Sequence, residues 1–114
     1  MDQLQLQEII DACNACATAC DRCASSCLEE DDVKMMARCI RLDIDCALMC
    51  RLTASYAARA SEFLEAICAQ CAAICTQCAS ECASHTAAHC QACADACRRC
   101  EQACLSAGAG PASA

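Results

Sequence analysis

Three segments of the chain carry cysteine on one rhythm. Cys13 to Cys27 reads CNACATACDRCASSC, Cys68 to Cys82 reads CAQCAAICTQCASEC, and Cys90 to Cys104 reads CQACADACRRCEQAC. Each follows C-x2-C-x3-C-x2-C-x3-C. Steps of three and four average about 3.5 residues, close to the 3.6 of an α-helix, so the sulfurs of a segment fall on one narrow helical face. A strand would need alternation by two, which these segments lack. The filler is mostly Ala, Gln, Asp, Arg and Ser, and Ala is the strongest helix former. The same template laid on residue 36 falls on Met36, Cys39, Asp43, Cys46 and Cys50. Four stripes therefore account for all 18 cysteines.

Cap signals separate the stripes. A first helix is predicted to begin after Asp2, with Gln5 completing a D-x-x-Q capping pattern. The run Glu29 to Asp32 reads as a turn whose acids suit the start of a second helix, which extends to about Ala60. Ser61 reads as the N-cap of a third helix, with Glu62 and Glu65 in its first turn. Ser84 to Thr86 is the last short connection. A fourth helix ends near Ala107, before Gly108, Gly110 and Pro111. Short connections make successive helices antiparallel neighbours. The expected fold is all-α: an antiparallel up-down four-helix bundle with a cysteine-lined core. Residues 1–107 form one domain in this reading, and 108–114 a flexible tail.

A chain of 114 residues suits one domain, but its ordinary core is thin: no Trp, one Phe (Phe63) and one Tyr (Tyr56). Sulfur, or something bound to it, must fill part of the interior. The net charge of −7, with no Lys or Arg cluster, argues against nucleic acid or an anionic membrane as partner. No apolar run is long enough to span a bilayer. The N-terminus MDQLQLQEII lacks the basic region and cleavage site of a signal peptide, so a cytoplasmic location is expected.

The chemistry of the thiols narrows further. A secreted disulfide framework is usually rich in Gly and Pro, whereas here two Gly and one Pro all lie in the C-terminal tail. Neighbours on a helix face keep Cβ atoms about 5–6 Å apart, while a disulfide needs about 3.8 Å. Cysteine as a small hydrophobe explains one or two positions, not four aligned stripes. Thiolates are soft ligands for Cu(I), Zn(II) or iron–sulfur clusters. Cluster motifs typically use C-x2-C-x2-C loops, and zinc sites commonly fold loops around a tetrahedral ion. Cu(I) accepts two thiolates in near-linear array, and twice a metal–sulfur bond of about 2.3 Å gives about 4.5 Å, within reach of an i, i+4 pair. One Cu(I) per thiolate, with bridging sulfurs, also brings a buried column close to neutral. A capacity near one Cu(I) per cysteine follows.

The C-x3-C pairs are Cys16–Cys20, Cys23–Cys27, Cys46–Cys50, Cys71–Cys75, Cys78–Cys82, Cys93–Cys97 and Cys100–Cys104. Cys13, Cys39, Cys68 and Cys90 are left over, each the first cysteine of its helix. In an up-down bundle Cys13 and Cys68 lie at one end, and Cys39 and Cys90 at the other. These four are expected to join sites shared between helices.

The repeated stripes on four short-looped helices resemble the cytosolic copper storage proteins over roughly Leu4 to Leu105. The resemblance implies a four-helix bundle filled with many Cu(I) ions, largely by C-x3-C pairs, and a homotetramer. It also implies copper storage for cuproenzymes, or sequestration. No Cys–His–Asp constellation stands outside the thiol array and there is no phosphate loop, so no enzymatic activity is expected. A metallothionein-like Zn(II) or Cd(II) buffer and a thiol redox protein are the competing readings.

The two bundle ends differ. Extending the stripes one way gives Leu6, Ile9 and Leu64, with Phe63, Ile67 and Leu105 nearby, so that end reads as plugged. The other gathers Met35, Met36, His85 and His89, a candidate entry for Cu(I). Met at helical spacing is more often core filler than ligand, which is the competing reading of Met35 and Met36, and a His beside a helix junction is often a cap or surface residue. Asp43 lies near the centre of its stripe. Carboxylate is a hard ligand, so Asp43 reads as a hydrogen-bonding or site-ending residue or as a ligand, unless Leu42 rotates inward instead.

Overall fold

The computed structural model describes residues 1–108. Four helices run α1 (Gln3–Cys27), α2 (Ala37–Ala58), α3 (Leu64–Ala83) and α4 (Ala88–Gly108). Each packs on two others: α1 on α2 and α4, and α3 on α2 and α4. The result is the expected up-down ring of four. The expected flexible tail lies outside the described residues, apart from Gly108, which ends α4.

The predicted start of α1 is present in full. Asp2 Oδ1 accepts from the Gln5 amide at 2.8 Å, and Gln5 Oε1 accepts from the Asp2 amide at 3.0 Å. Such a capping box satisfies two donors that the first turn leaves free.

The second helix departs from expectation at both ends. A 3-10 turn, Val33–Met36, precedes α2, and Asp32 caps it by accepting from the Met35 amide at 3.2 Å. At the other end α2 stops at Ala58 rather than near Ala60. Ala60 is in the left-handed region, φ 49°, and the Ser61 and Ala60 amides donate back to the carbonyls of Tyr56 and Ala57. That is a Schellman closure with alanine where glycine is usual.

The third helix begins at Leu64, later than Ser61 suggests. Ser61 Oγ instead accepts from the Phe63 amide at 3.1 Å, capping the turn before the helix.

Side chains on the four stripes turn inward together. On α1 the line runs Leu6, Ile9, Cys13, Cys16, Cys20, Cys23, Cys27, all buried. On the 3-10 turn and α2 it runs Met36, Cys39, Asp43, Cys46, Cys50, Thr53, Ala57. Asp43 is the inward residue, with Leu42 half-buried and Asp45 exposed. Thr53 hides its hydroxyl by donating to the Met49 carbonyl at 2.8 Å. Alanines flank the stripes at the helix contacts (Ala17, Ala47, Ala72, Ala79 and Ala94 are buried), and their small side chains bring the backbones close enough for sulfurs to meet.

One end is closed by Leu6, Ile9 and Leu64, all buried. Burying each contributes about 1.5–3 kcal/mol, a large share of the hydrocarbon burial in a core otherwise made of sulfur and alanine. Phe63 and Leu105, expected beside this plug, are 60% and 55% exposed. They sit off the inward stripe, Phe63 in the turn before α3 and Leu105 one residue past Cys104.

Candidate metal centre

All 18 cysteines are buried free thiols. Their sulfurs form one continuous column along the bundle. Within a helix, i, i+4 pairs stand at 4.0 Å (Cys16–Cys20), 3.8 Å (Cys23–Cys27), 3.9 Å (Cys46–Cys50) and 4.0 Å (Cys78–Cys82). Between helices the contacts are as short or shorter. Cys16 lies 3.6 Å from Cys97 and 3.8 Å from Cys46; Cys46 lies 3.7 Å from Cys75; Cys50 lies 3.7 Å from Cys100 and 3.9 Å from Cys71. The spacing in sequence reveals the first kind of contact and is silent about the second.

The first cysteine of each helix sits where an up-down ring puts it. Cys13 is 3.6 Å from Cys100, toward the plugged end. Cys68 lies on α3 one turn beyond Leu64 at that same end. Cys39 and Cys90 join Cys23 and Cys27 in one four-sulfur group at the opposite end.

Several such groups of mutually close sulfurs run along the column, and they share members. Cys16 and Cys46 belong to a group with Cys50 and Cys75 and to another with Cys20 and Cys97; Cys20 and Cys97 belong in turn to a group with Cys78 and Cys93. Three thiolates about 2.3 Å from one ion stand about 4.0 Å apart, whereas a linear pair needs about 4.5 Å. The contacts observed match the three-sulfur figure, so cross-helix triples suit a soft ion at least as well as the C-x3-C pairs do.

Asp43 stands among the sulfurs of the column. Its Oδ1 accepts from the thiols of Cys78 (3.3 Å), Cys93 (3.3 Å) and Cys82 (3.4 Å), and Oδ2 from Cys39 at 3.8 Å. Burial, with the nearby Cys93 and Cys78 sulfurs, pushes its carboxyl up to about 10, so it is a neutral acid at neutral pH. The hydrogen-bonding role is therefore the one seen in the metal-free chain. Burial likewise pushes the Cys27 thiol up, and that of Cys90 to about 11.

The end opposite the plug is open. An ≈810 Å³ cavity is lined by Glu30, Asp31, Asp32, Met35, Met36, Glu81 and His85, among others. Met36 is 4% exposed and packs into the core, whereas Met35 is 63% exposed and stays outside the column. The two histidines are held differently. His85 Nε2 meets Glu81 at 2.7 Å, and Glu81 is held by Arg38 at 2.8 Å, which keeps its carboxyl below the usual range. His89 turns Nδ1 to Cys23 at 3.4 Å and Cys90 at 3.5 Å. Glu30, Glu81 and Arg38 were not singled out from the sequence. Glu81 had a local signal, four residues before His85; Glu30 and His89 are too far apart in the chain to give one.

Residues 2–109 match the model of the copper storage protein family, Csp. A curated relative, the cysteine-rich protein YhjQ of Bacillus subtilis, is 45% identical over 63 residues, 55% of this chain. The match spans 58% of that relative's length. Among solved structures, the Cu(I)-bound copper storage protein BsCsp3 superposes with a TM-score of 0.86 at 43% identity, covering 90% of this chain and 96% of that one. A cytosolic copper storage protein from Streptomyces lividans, solved with five coppers, superposes with a TM-score of 0.90 at 41% identity, covering 93% of each chain.

Proposed function

Since the chain belongs to the copper storage protein family, we propose that it takes up many Cu(I) ions on the thiolates of its sulfur column and holds them as a reserve or a sink. The observation that carries this reading is the sharing of sulfurs between neighbouring groups. A shared thiolate bridges two ions, so the column accepts metal along its whole length with the charge of each sulfur offset by one cation. The ligands are Cys13, Cys16, Cys20, Cys23, Cys27, Cys39, Cys46, Cys50, Cys68, Cys71, Cys75, Cys78, Cys82, Cys90, Cys93, Cys97, Cys100 and Cys104, and capacity approaches one ion per cysteine.

Zn(II) or Cd(II) fits the geometry of a single four-sulfur group but not the column. Four thiolates around one divalent ion leave two negative charges in a dry interior, and repeating that along the bundle compounds the cost. A thiol redox role needs one accessible cysteine set apart from the rest, and here all are equally buried. The family is one of copper storage rather than of catalysis, and the role proposed is binding.

Copper enters at the Met36, His85 and His89 end, because the other end is filled by Ile9 and Leu64. The S. lividans relative is cytosolic, and the same location is proposed for this chain. No helix is long and apolar enough to cross a membrane among the described residues. Residues 1–107 act as one domain. Self-assembly to a tetramer is proposed as well, with exposed Ile44, Leu48 and Leu52, four apart on α2, as an apolar contact surface.

Anaerobic titration of reduced protein with Cu(I) and with Zn(II), each against a competing chelator, tests the central reading. Saturation near the cysteine count, with Cu(I) displacing Zn(II), is expected. Saturation at only a few Cu(I) per chain would overturn it.

A further inference from the structure

A second opening approaches the column from the side of the bundle. A groove of ≈430 Å³ between α1 and α4 is lined by Ala19, Arg22, Ser25, Ser26, Ala92 and Cys93, among others. That volume is in the range of pockets that take small organic ligands, about 300–1,000 Å³. The groove shares no lining residue with the ≈810 Å³ cavity at the open end. Cys93 belongs to the column: its Sγ is 3.6 Å from Cys20, and the two form a four-sulfur group with Cys78 and Cys97. A molecule seated in the groove is therefore next to a ligand of the stored metal without having passed the open end.

Two features select the guest. Arg38, Arg51 and Arg98 are each paired with a carboxylate, whereas Arg22 has no such pair among the described residues. Its guanidinium is available to the carboxylate of a guest, in a chain whose net charge of −7 otherwise disfavours anions. Ser25 and Ser26 add hydroxyls to the same lining. The second feature is Cys93 itself, since a soft donor is what competes with thiolates for Cu(I). A small molecule that joins a thiol to a carboxylate meets both.

The exchange balances. A guest thiol RSH and the Cys93–S–Cu unit become RS–Cu and Cys93–SH. One S–H and one Cu–S bond break, one of each forms, and copper stays monovalent. The guest's proton passes to the Cys93 sulfur, so no bare thiolate is left in a dry interior, where it would be costly. A second thiol exchanges the ion's next Cu–S bond in the same way. Cys93 is buried and turns toward the groove for this step; Ala19 and Ala92 offer nothing beyond Cβ to oppose it.

We propose that the α1–α4 groove is a release site for small carboxylate-bearing thiols, which take Cu(I) from Cys93. The proposal rests on the copper-storage reading. Ions bound deeper than Cys93 move up the column to it.

The test uses the full chain loaded with Cu(I), with excess chromophoric chelator as final acceptor. Glutathione is the thiol with carboxylates, cysteamine the thiol without, and S-methylglutathione the carboxylate without a thiol. Glutathione is expected to speed transfer to the chelator, with a saturating dependence on its concentration. Cysteamine should act weakly and without saturation, and S-methylglutathione should compete with glutathione. Arg22→Glu is expected to raise the half-saturating glutathione concentration roughly tenfold, the loss of one charge-assisted contact. Ala92→Leu narrows the groove and should abolish the acceleration. Both positions are exposed, so helix content by circular dichroism, copper capacity and transfer to chelator alone should match wild type. Equal acceleration by glutathione and cysteamine overturns the proposal, as does a wild-type glutathione response in the two variants. In metal-free reduced wild type, S-methylglutathione should shift the Arg22, Ser26 and Ala92 amides in 15N–1H spectra. No saturable shift there overturns the proposal whatever the copper content. Wild type that loads only a few Cu(I) ions would instead sink the storage reading itself.

Discussion

Asp43 on α2 accepts a hydrogen bond from Cys93 on α4 at 3.3 Å, across the bundle rather than between neighbouring helices. A carboxyl group thus stands where the repeat would place a thiol, and it is neutral because it is buried.

That neutrality makes the metal-free protein pH-sensitive in a definite direction. The folded chain holds the Asp43 proton up to about 10, while the unfolded chain releases it near its ordinary value of 3.8. Between those limits folding binds an extra proton, so stability falls as pH rises, by up to about 1.4 kcal/mol per pH unit. Urea unfolding of wild type and Asp43→Asn between about pH 5 and 7.5, where unfolded thiols stay protonated, checks this. The slope should be flatter in Asp43→Asn; parallel profiles would refute it.

Cys97 touches both Cys16 and Cys20, at 3.6 and 3.8 Å, and so bridges two helices. Cys97→Ser keeps the shape and replaces a soft donor with a hard one. Copper content at saturation is expected to drop by about one to two ions with helix content unchanged, read by metal analysis and circular dichroism. Full capacity in the variant would mean that this sulfur is dispensable.

Leu64 fills the plugged end and is 2% exposed. Leu64→Ala leaves a cavity beside Leu6 and Ile9 at the plugged end. A loss of about 2–5 kcal/mol is expected in denaturant unfolding of the metal-free form. A loss below about 1 kcal/mol, nearer the cost of a conservative core swap, would show the plug to be loosely packed.

Ala60 holds a left-handed conformation that favours glycine. Ala60→Gly removes the Cβ clash and should stabilise the metal-free chain by about 1 kcal/mol, less what glycine loses in the unfolded state. A lower midpoint in urea would count against the closure described for α2.

Leu48 stands at the middle of the exposed α2 stripe. If that stripe joins copies, Leu48→Glu places like charges against each other at the contact and gives monomers by light scattering, with helix content retained. An unchanged assembly would move the contact elsewhere.

Much of this molecule was legible before its structure was. Steps of three and four specify both helix and inward face, so the stripes and the four helices followed from spacing, which placed Asp43 near the centre of its stripe but did not decide between it and Leu42. What stayed hidden depends on how the helices meet. The contact of Cys50 with Cys100 joins α2 to α4, and nothing local to either cysteine announces it. The same holds for Glu30 and His89. Phe63 and Leu105 misled because apolar character was read as burial, whereas their places relative to the stripe leave them exposed. The Val33–Met36 turn was missed because a 3-10 segment carries no periodicity long enough to detect.

The closure of one end by Ile9 and Leu64 has a temporal consequence. A tube stoppered at its far end is a stack, not a queue. With the entry proposed above, an ion bound deep toward Leu64 leaves only past those bound nearer the mouth, so withdrawal begins with the shallowest sites.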